Sequence, residues 1–253
     1  MPNITTPRPA AVCIVSGGLD SVCYAASLAA NEGYDLHILT FAYGQRAERE
    51  IERSRYFAKV LNAKDHKVAD MGFMKSLYNK SNALTDNGQK LSQEFSQSLV
   101  VPIRNAVFLT IATAWAFSIN AKVVAYGAHI GDTLHYSDCR PVFVKTMSEA
   151  LNMAESDSIQ SGLRQQIMIL SPAITGLDKS ALAKKGYKIL GDKIFHTWSC
   201  YSDGIKVDRD YLHCGQCESC INRKNAFNTA QIKDKTQYAT KEQYARHNYD
   251  KSE

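Results

Sequence analysis

Two groups of residues have types and spacings that could carry out chemistry, and they lie toward opposite ends of the sequence. The first is the glycine turn Ser16–Ser21, with the sequence Ser-Gly-Gly-Leu-Asp-Ser. Glycines let a backbone approach phosphate closely, and serine hydroxyls and N–H groups at a helix start donate to phosphoryl oxygens. A carboxylate at Asp20 makes sense beside phosphates mainly with a Mg²⁺ ion between them. The turn therefore predicts a binding site for a magnesium polyphosphate.

This turn differs from the common phosphate-binding motifs. It lacks both G-x-x-x-x-G-K-[ST] and G-x-G-x-x-G, so γ-phosphate hydrolysis and hydride transfer are disfavoured. An isolated Ser-Gly-Gly would more simply cap a helix. The full hexapeptide resembles the loop of the ATP pyrophosphatase superfamily, which grips the departing pyrophosphate while a substrate oxygen attacks the α-phosphorus. The resemblance implies ATP contacts from Val15, Ser16, Gly17, Gly18, Leu19, Asp20 and Ser21.

The second group is a set of cysteines near the C-terminus. Of the seven cysteines in the chain, four are found there. Four thiolates are the number that a closed tetrahedral zinc site needs. An iron–sulfur cluster is the main alternative, and unliganded structural cysteines are a weaker one. The predicted ligands of a single structural zinc ion are Cys200, Cys214, Cys217 and Cys220.

Length and composition indicate what kind of protein positions these groups. A chain of 253 residues with 45% apolar and 22% charged residues fits one globular α/β domain with a small appendage. No apolar run approaches the ~18 residues of a membrane span, and residues 1–9 lack the apolar stretch of a secretory signal. With an odd number of cysteines, we expect a cytoplasmic protein without a membrane partner. The net charge of +5 would suit a polyanionic small molecule or RNA.

Strands and helices alternate along most of the chain. Strands are predicted at 11–15, 35–41, 65–69, 122–127 and 166–171, and helices at 20–31, 45–62, 105–118 and 141–153. This alternation predicts an α/β fold with a doubly wound, mostly parallel sheet, the pyrophosphate loop after the first strand, and a small C-terminal zinc-binding segment.

Two domains follow from this pattern. We predict an ATP pyrophosphatase domain at 1–190 and a zinc-binding segment with a polar tail at 191–253. Residues 70–99 are predicted to form a mobile loop or a small excursion. The tail at 228–253 fits either a solvated helix or disorder.

Five motifs in order identify a more specific relationship. They are the glycine turn, Val-Pro-Ile-Arg-Asn at 101–105, Tyr-Ser-Asp-Cys-Arg-Pro-Val-Phe at 136–143, Thr-Trp-Ser-Cys-Tyr at 197–201, and the cysteine motif at 213–227. With them the chain resembles the 7-cyano-7-deazaguanine synthase family over most of its length. The resemblance implies that ATP drives conversion of 7-carboxy-7-deazaguanine and ammonia to the nitrile, on the route to queuosine or archaeosine. It also implies a structural zinc and a homodimer.

The chain departs from that family's pattern in two places. The spacer between Cys200 and Cys214 is longer than usual, and Thr133-Leu134-His135 stand where a Tyr-Ser-Gly-like run is common. The first departure concerns the loop around the metal. The second concerns the contacts to the substrate.

Catalysis in such an enzyme consists of positioning and charge stabilisation at phosphorus, without a covalent nucleophile. We assign this role to Asp20, Arg104 and Lys179, although the last two could equally be surface or ion-pair residues.

Recognition of the base calls for other side chains. A deazaguanine presents adjacent N–H donors, which a carboxylate accepts in parallel. We therefore predict substrate contacts from Asp138, from Tyr136 by stacking, and from Arg140 toward the substrate carboxylate or the α-phosphate. The alternative is that Asp138 pairs with Arg140, braces the loop and caps the next helix.

Three other functions fit parts of the sequence. A tRNA thiolase would use Cys139 or the cysteine cluster in sulfur transfer, and a relative could act in another deazapurine pathway or on a protein. A zinc-bearing nucleic-acid binder would fit the charge, but the intact glycine turn opposes it. Because the α/β pattern and the zinc segment use nearly all of the sequence, we expect free ammonia as the nitrogen donor and no requirement for nucleic acid.

Overall fold

The structure is a computed structural model that describes the backbone of residues 7–78, 82–86 and 88–250, and side chains as far as residue 246. The helices are α1 (Leu19–Asn31), α2 (Arg49–Val60), α3 (Met74–Tyr78), α4 (Arg104–Ser118), α5 (Pro141–Met153), α6 (Ser156–Gln160), α7 (Lys179–Leu190), α8 (Glu218–Thr229) and α9 (Lys241–Asp250). The strands are β1 (Ala10–Ile14), β2 (Asp35–Ala42), β3 (Asp65–Asp70), β4 (Val123–Ala125), β5 (Met168–Leu170), β6 (Ile205–Val207) and β7 (Asp210–Leu212).

Strands β1 to β5 form a parallel sheet in the order β3-β2-β1-β4-β5. The chain runs outward from β1 to β3, crosses back to β4 on the other side of β1, and continues to β5. In such sheets, ligands bind at the carboxyl ends of the strands where the order reverses, which here is between β1 and β4. The predicted doubly wound, mostly parallel α/β sheet is confirmed.

Alternate residues of the central strands face two different layers of helices. Val12 and Val124 pack with Leu109 of α4, whereas Ala11 and Val123 pack on the opposite face, in the core that α1 and α7 share. Because successive side chains of a strand point to opposite faces, a strand covered on both sides must be apolar throughout. That is why β1 has the sequence Ala-Ala-Val-Cys-Ile.

One described helical stretch, Gln97–Ser118, is long and apolar enough to cross a membrane by length and composition alone. Its main part, α4, packs on β1 and buries Phe108, Leu109 and Ala112 in the core. Core helices of soluble proteins have the same composition. The packing of α4 gives it that role here.

The residues beyond 190 pack closely against the sheet domain. Ile194 and Phe227 belong to the same core as α1 and α7. The long spacer between Cys200 and Cys214 is accounted for by a hairpin, since β6 and β7 pair antiparallel within it. The domain boundary at 190 stays a prediction.

Two sequence predictions differ from the structure in detail. The helix expected from residue 45 begins only at Arg49, because the Gln45 side chain accepts from the Tyr43 N–H and donates to the Phe41 carbonyl, which holds a turn there. The segment 70–99 contains α3 and buries Ala83 and Leu84. Residues 79–81 and 87 of that segment lie outside the described residues. In the tail, α9 is helical as far as Asp250, and 251–253 are outside the description.

Candidate active site and metal centre

A cavity of about 880 Å³ opens at the carboxyl ends of the strands. Small-molecule sites typically have about 300–1,000 Å³. Its wall is built from the glycine turn after β1, the loops after β2 and β4, and the starts of α7 and α8. The side chains on it that could act on a substrate include Ser16, Asp20, Ser21, Phe41, Tyr43, Glu50, Arg104, Phe108, His129, Asp132, Tyr136 and Lys179.

The glycine turn is closed by hydrogen bonds among its own residues. The Ser16 N–H donates to Ser21 Oγ at 3.3 Å, the Gly18 N–H donates to Ser16 Oγ at 3.1 Å, and Ser21 Oγ donates to the Gly18 carbonyl at 3.2 Å. Helix α1 begins directly after the turn, and the first N–H groups of a helix have no partner within it. The turn therefore presents N–H and hydroxyl donors at the positive end of a helix dipole, as phosphate binding requires.

Gly17 shapes this turn without lining the cavity. Its φ is +93°, and a Cβ there would lie 2.3 Å from the Glu50 carbonyl oxygen and 2.6 Å from the Ser54 nitrogen. Only glycine therefore fits between the turn and α2. Val15, also predicted to contact ATP, does not line the cavity either, and its N–H donates to the Leu39 carbonyl at 2.9 Å.

We expect Gly17→Ala to destabilise the protein and weaken ATP binding more than Gly33→Ala does. Gly33 also has a positive φ, +76°, but a Cβ there meets nothing within 4 Å. Strain at positive φ costs roughly 1–2 kcal/mol in both variants, and overpacking against α2 adds roughly 1–3 kcal/mol in the first. Denaturant unfolding and ATP titration of both variants measure the difference. Equal stabilities and equal ATP affinities would contradict the role of Gly17.

Asp20 and Lys179 form a largely buried ion pair on the cavity wall. Lys179 Nζ lies 2.5 Å from Asp20 Oδ2. Burial alone would raise the pKa of Asp20, but the Lys179 ammonium holds that pKa below its ordinary value. Burial would likewise lower the pKa of Lys179, and Asp20 raises it. Both groups are charged at neutral pH, and the structure thus brings together two of the three predicted catalytic residues.

The other oxygen of Asp20 fits a bound cation. Oδ1 is buried and has no hydrogen-bond partner among the described residues. Leaving such an oxygen unpaired is costly, and a divalent cation held between the carboxylate and the phosphates would satisfy it. The residues present therefore fit the predicted magnesium.

His129 and Asp132 extend this polar end of the cavity, and the sequence reasoning missed them. Asp132 Oδ2 accepts from the His129 N–H at 2.9 Å, and His129 Nε2 lies 3.6 Å from Asp132 Oδ1. Burial raises the pKa of Asp132. Both residues follow β4, which pairs with β1, so their position just past the strand predicted at 122–127 was the signal that could have found them.

The other end of the cavity is aromatic. Phe41 and Phe108 stack with ring centroids 4.0 Å apart, and Tyr43 meets Phe108 edge-on at 5.4 Å. Arg104, the third predicted catalytic residue, lines this part and donates from Nη1 to the Tyr43 hydroxyl at 3.2 Å. Flat apolar walls with a few polar groups are typical of sites for planar rings.

The three predicted substrate residues are only partly brought to the cavity. Tyr136 lines it, but Asp138 and Arg140 do not. Both oxygens of Asp138 accept from Asn105, one from its N–H and one from its Nδ2, each at 3.1 Å. Arg140 Nε donates to the Thr133 carbonyl at 3.1 Å.

This geometry gives Asp138 a structural role, and the contact of Asp138 and Arg140 with a substrate stays a prediction. Asp138 is used at the start of α4, because the first N–H groups of a helix need an acceptor that the helix cannot supply. Its bracing partner is Asn105 rather than Arg140, and it holds the preceding helix rather than capping the next one. The sequence could not show this, since the two residues meet only in the folded chain.

The four predicted metal ligands come together in one buried cluster. Their sulfur atoms all lie within 4.8 Å of one another, and Cys214 Sγ and Cys220 Sγ are 3.8 Å apart. A single tetrahedral ion with Zn–S bonds of about 2.3 Å places its sulfurs about 3.8 Å apart. A multi-iron cluster would put several irons between the sulfurs and hold them farther apart. The geometry therefore fits one ion.

The cysteine cluster and the glycine turn are connected through the backbone around Trp198. The Trp198 N–H donates to the Gly17 carbonyl at 2.9 Å, two positions before the ligand Cys200. The buried guanidinium of Arg223 supports the same stretch by donating to Thr197 Oγ1 at 2.7 Å and to Ser199 Oγ at 3.0 Å. The cysteine segment thus helps to support the glycine turn.

Comparison with known proteins agrees with this arrangement. The family described as "Queuosine biosynthesis protein QueC" matches residues 10–231. The chain belongs to this family. The 7-cyano-7-deazaguanine synthase of Caldicellulosiruptor saccharolyticus is 34% identical over 232 residues, which cover 90% of this chain and 95% of that protein. That of Psychromonas ingrahamii is 36% identical, with 90% and 96% covered. The resemblance drawn from the five motifs is confirmed.

Solved structures resemble this QueC-family chain more distantly. NMN synthetase from Francisella tularensis has a TM-score of 0.44 and 13% identity, and covers 96% of this chain and 84% of its own. The U34-tRNA thiolase NcsA from Methanococcus maripaludis has a TM-score of 0.42 and 12% identity, with 91% and 70% covered. At these values neither carries an argument about function.

The second departure of this chain from the QueC pattern lies at the mouth of the cavity. His135 stacks on Phe95 with ring centroids 4.0 Å apart, and both side chains line the cavity. The neighbouring Leu134 is exposed. The unusual run therefore supplies an aromatic contact at the cavity wall.

Proposed function

We propose that the chain catalyses the ATP-dependent conversion of 7-carboxy-7-deazaguanine and ammonia to 7-cyano-7-deazaguanine, with release of AMP and pyrophosphate. The observation that carries the proposal is the glycine turn, whose Asp20 pairs with Lys179, in a cavity that also has an aromatic wall. Relatives named 7-cyano-7-deazaguanine synthase, at 34–36% identity over 90% of the chain, support the choice of substrate.

The chemistry requires activation of a poor electrophile. A carboxylate reacts with ammonia only after one oxygen has become a good leaving group, and transfer of AMP to that oxygen achieves this. Ammonia then gives an amide, and a second adenylation at the amide oxygen permits elimination to the nitrile. The enzyme is accordingly a carbon–nitrogen ligase that uses ATP twice for each nitrile.

The residues of the cavity divide this work by position. The donors of the glycine turn hold the departing pyrophosphate, and Lys179 places a positive charge beside them. Arg104, which donates to the Tyr43 hydroxyl, lies at the aromatic wall, where it can stabilise charge on the substrate carboxylate or the α-phosphate. The planar base lies against the aromatic side chains, with Tyr136 among them.

Two metal ions have separate roles in this proposal. Asp20 would hold Mg²⁺, which would supply positive charge beside the phosphates. Cys200, Cys214, Cys217 and Cys220 would hold Zn²⁺, which would stabilise the fold of the C-terminal segment, since structural zinc sites of four thiolates are closed to substrates.

Sulfur transfer has less support from the structure. Burial raises the pKa of Cys139, so this thiol has little of the thiolate form that sulfur chemistry needs. The four clustered thiols fit a single ion instead. The homodimer, the cytoplasmic location and the final pathway product, queuosine or archaeosine, stay predictions.

The proposal is tested by incubating the protein with ATP, Mg²⁺, an ammonium salt and 7-carboxy-7-deazaguanine. We expect mass spectrometry to show AMP together with the nitrile, both dependent on ammonium and the deazapurine. The reason is that the turn lacks the lysine used in γ-phosphate transfer but has donors for pyrophosphate. Production of ADP and phosphate alone, or of no nitrile, would overturn it.

A further inference from the structure

Glu50 is a carboxylate on the cavity wall that the proposed mechanism does not yet use. It lies in the first turn of α2, and among the described residues no hydrogen bond or ion pair is made by its side chain. Another cavity carboxylate, Glu218, is engaged differently, because Tyr201 donates to one of its oxygens at 2.6 Å and Asn222 donates to the other. Glu50 therefore has free acceptor capacity toward the cavity.

Two further oxygens converge with Glu50 beside Gly18. The position that a Cβ would occupy on Gly18 lies 3.1 Å from Ser16 Oγ, 3.4 Å from the Trp198 carbonyl oxygen and 3.9 Å from Glu50 Oε1. These are the nearest atoms to that point outside Gly18 and its chain neighbours. A side chain at residue 18 would crowd Ser16 Oγ, and Ser16, Gly18, Glu50 and Trp198 all line the cavity. Three oxygen acceptors on one part of the cavity wall suit a small cation that donates hydrogen bonds.

The negative charge of Glu50 also favours a bound cation here. A carboxylate next to a turn that binds polyphosphate would be repelled by the phosphates unless a proton or a cation lay nearby. Burial raises the pKa of Glu50 to about 8, and the Arg104 guanidinium offsets this rise only in part. A bound monovalent cation would relieve that penalty.

We propose that Ser16 Oγ, the Trp198 carbonyl and Glu50 form the binding site for the ammonium ion, and that Glu50 is the base that removes its proton. This inference rests on the proposed function, because it names the residues that bind the nitrogen donor of that reaction. Ammonium is the cation the reaction consumes, and it has four N–H donors to offer to oxygen acceptors. The site lies against the turn that holds pyrophosphate, close to where the activated acyl group is formed.

The reaction at this site balances as follows. Glu50 accepts one proton from ammonium, which becomes ammonia with a free lone pair. Ammonia forms a C–N bond to the acyl carbon of the adenylated substrate. The C–O bond to AMP breaks, and AMP departs with that electron pair and with the second proton lost by nitrogen. The products are the amide, AMP and protonated Glu50, which returns its proton to solvent.

The test compares Glu50→Gln with wild type and with Glu48→Gln, an exposed acid near the same helix start. We expect Glu50→Gln to lower kcat/KM for ammonium about 10²–10⁴-fold, the usual contribution of a general base. Pyrophosphate release on substrate adenylation without ammonium should persist, and Mg²⁺ dependence and zinc content should stay at the wild-type level. Glu48→Gln should match wild type throughout.

Hydroxylamine separates a base from a structural residue. It is neutral at assay pH and needs no deprotonation before it attacks, so Glu50→Gln should form the hydroxamate at close to the wild-type rate. If Glu50→Gln loses adenylation as well, loses hydroxamate formation, changes its Mg²⁺ dependence, or keeps normal ammonium kinetics, the ammonium site is wrong. Failure of wild type to adenylate the deazapurine would instead refute the proposed function.

Discussion

Replacing Asp20 with asparagine is expected to lower kcat by about 10²–10³-fold, the effect of removing one group that organises charge stabilisation in the transition state. The ATP dissociation constant should change by less than about tenfold, because the backbone and hydroxyl donors of the glycine turn remain. Asparagine keeps the shape of the side chain but not the charge that pairs with Lys179 and would hold Mg²⁺. Steady-state kinetics and equilibrium ATP binding measure the two quantities.

The same substitution should also destabilise the fold, since it leaves the Lys179 ammonium without its partner in a largely buried place. Breaking a buried ion pair by removing one partner costs about 3–5 kcal/mol. Asp192→Asn is the matched control. Asp192 and Lys235 form a pair of similar length, 2.6 Å, but both side chains are at least half exposed. This control should leave stability and kcat nearly unchanged, and an Asp20→Asn protein with normal kcat would remove Asp20 from the mechanism.

Replacing Cys217 with serine is expected to abolish stoichiometric zinc binding and to lower the melting temperature by roughly 10 °C or more. Structural zinc contributes several kcal/mol to folding, and one kcal/mol corresponds to roughly 2–4 °C in a chain of this size. ATP binding should weaken as well, because the segment that carries the ligands also donates the Trp198 N–H to the Gly17 carbonyl. Metal analysis, calorimetry and ATP titration of the purified protein test all three.

Cys139→Ser is the control for that experiment. Cys139 is buried like the four ligands, but it lies outside their cluster. Its replacement should leave the zinc content at the wild-type level. Loss of zinc from the Cys139 variant, or iron with a visible charge-transfer band in the wild-type protein, would overturn the assignment of the metal centre.

The sequence was sufficient for features that depend on local order. The apolar run of β1, the glycine turn and the apolar helix that follows them are contiguous, so periodicity and turn chemistry locate them directly. The spacing of Cys214, Cys217 and Cys220 likewise lies within one short segment. Alternation of strands and helices then leaves few ways to arrange the sheet, because crossover connections between parallel strands are right-handed and short.

The roles of side chains that depend on long-range contacts could not be predicted from the sequence in the same way. The sequence indicates no partner for Lys179. In the folded structure, α7 packs on α1 and places the Lys179 ammonium against Asp20. The carboxylate of Asp138 could accept hydrogen bonds from the edge of a base, yet both its oxygens accept from Asn105 at the start of α4. Glu50 looked like one acid among several in a charged helix. Only the approach of α2 to Gly17 and Gly18 gives it a place in the cavity.

The hydrogen bond between Trp198 and Gly17 also bears on how the chain matures as it leaves the ribosome. Domains generally begin to form from the N-terminal side during synthesis. Strands β1, β2 and β3 are neighbours in both sequence and sheet, so they can pair while most of the chain is still unmade. The turn after β1 is nevertheless finished by a residue from the last quarter of the sequence. A nascent chain would therefore lack this support for the turn until the cysteine segment has emerged, so the proposed nucleotide site would be completed last.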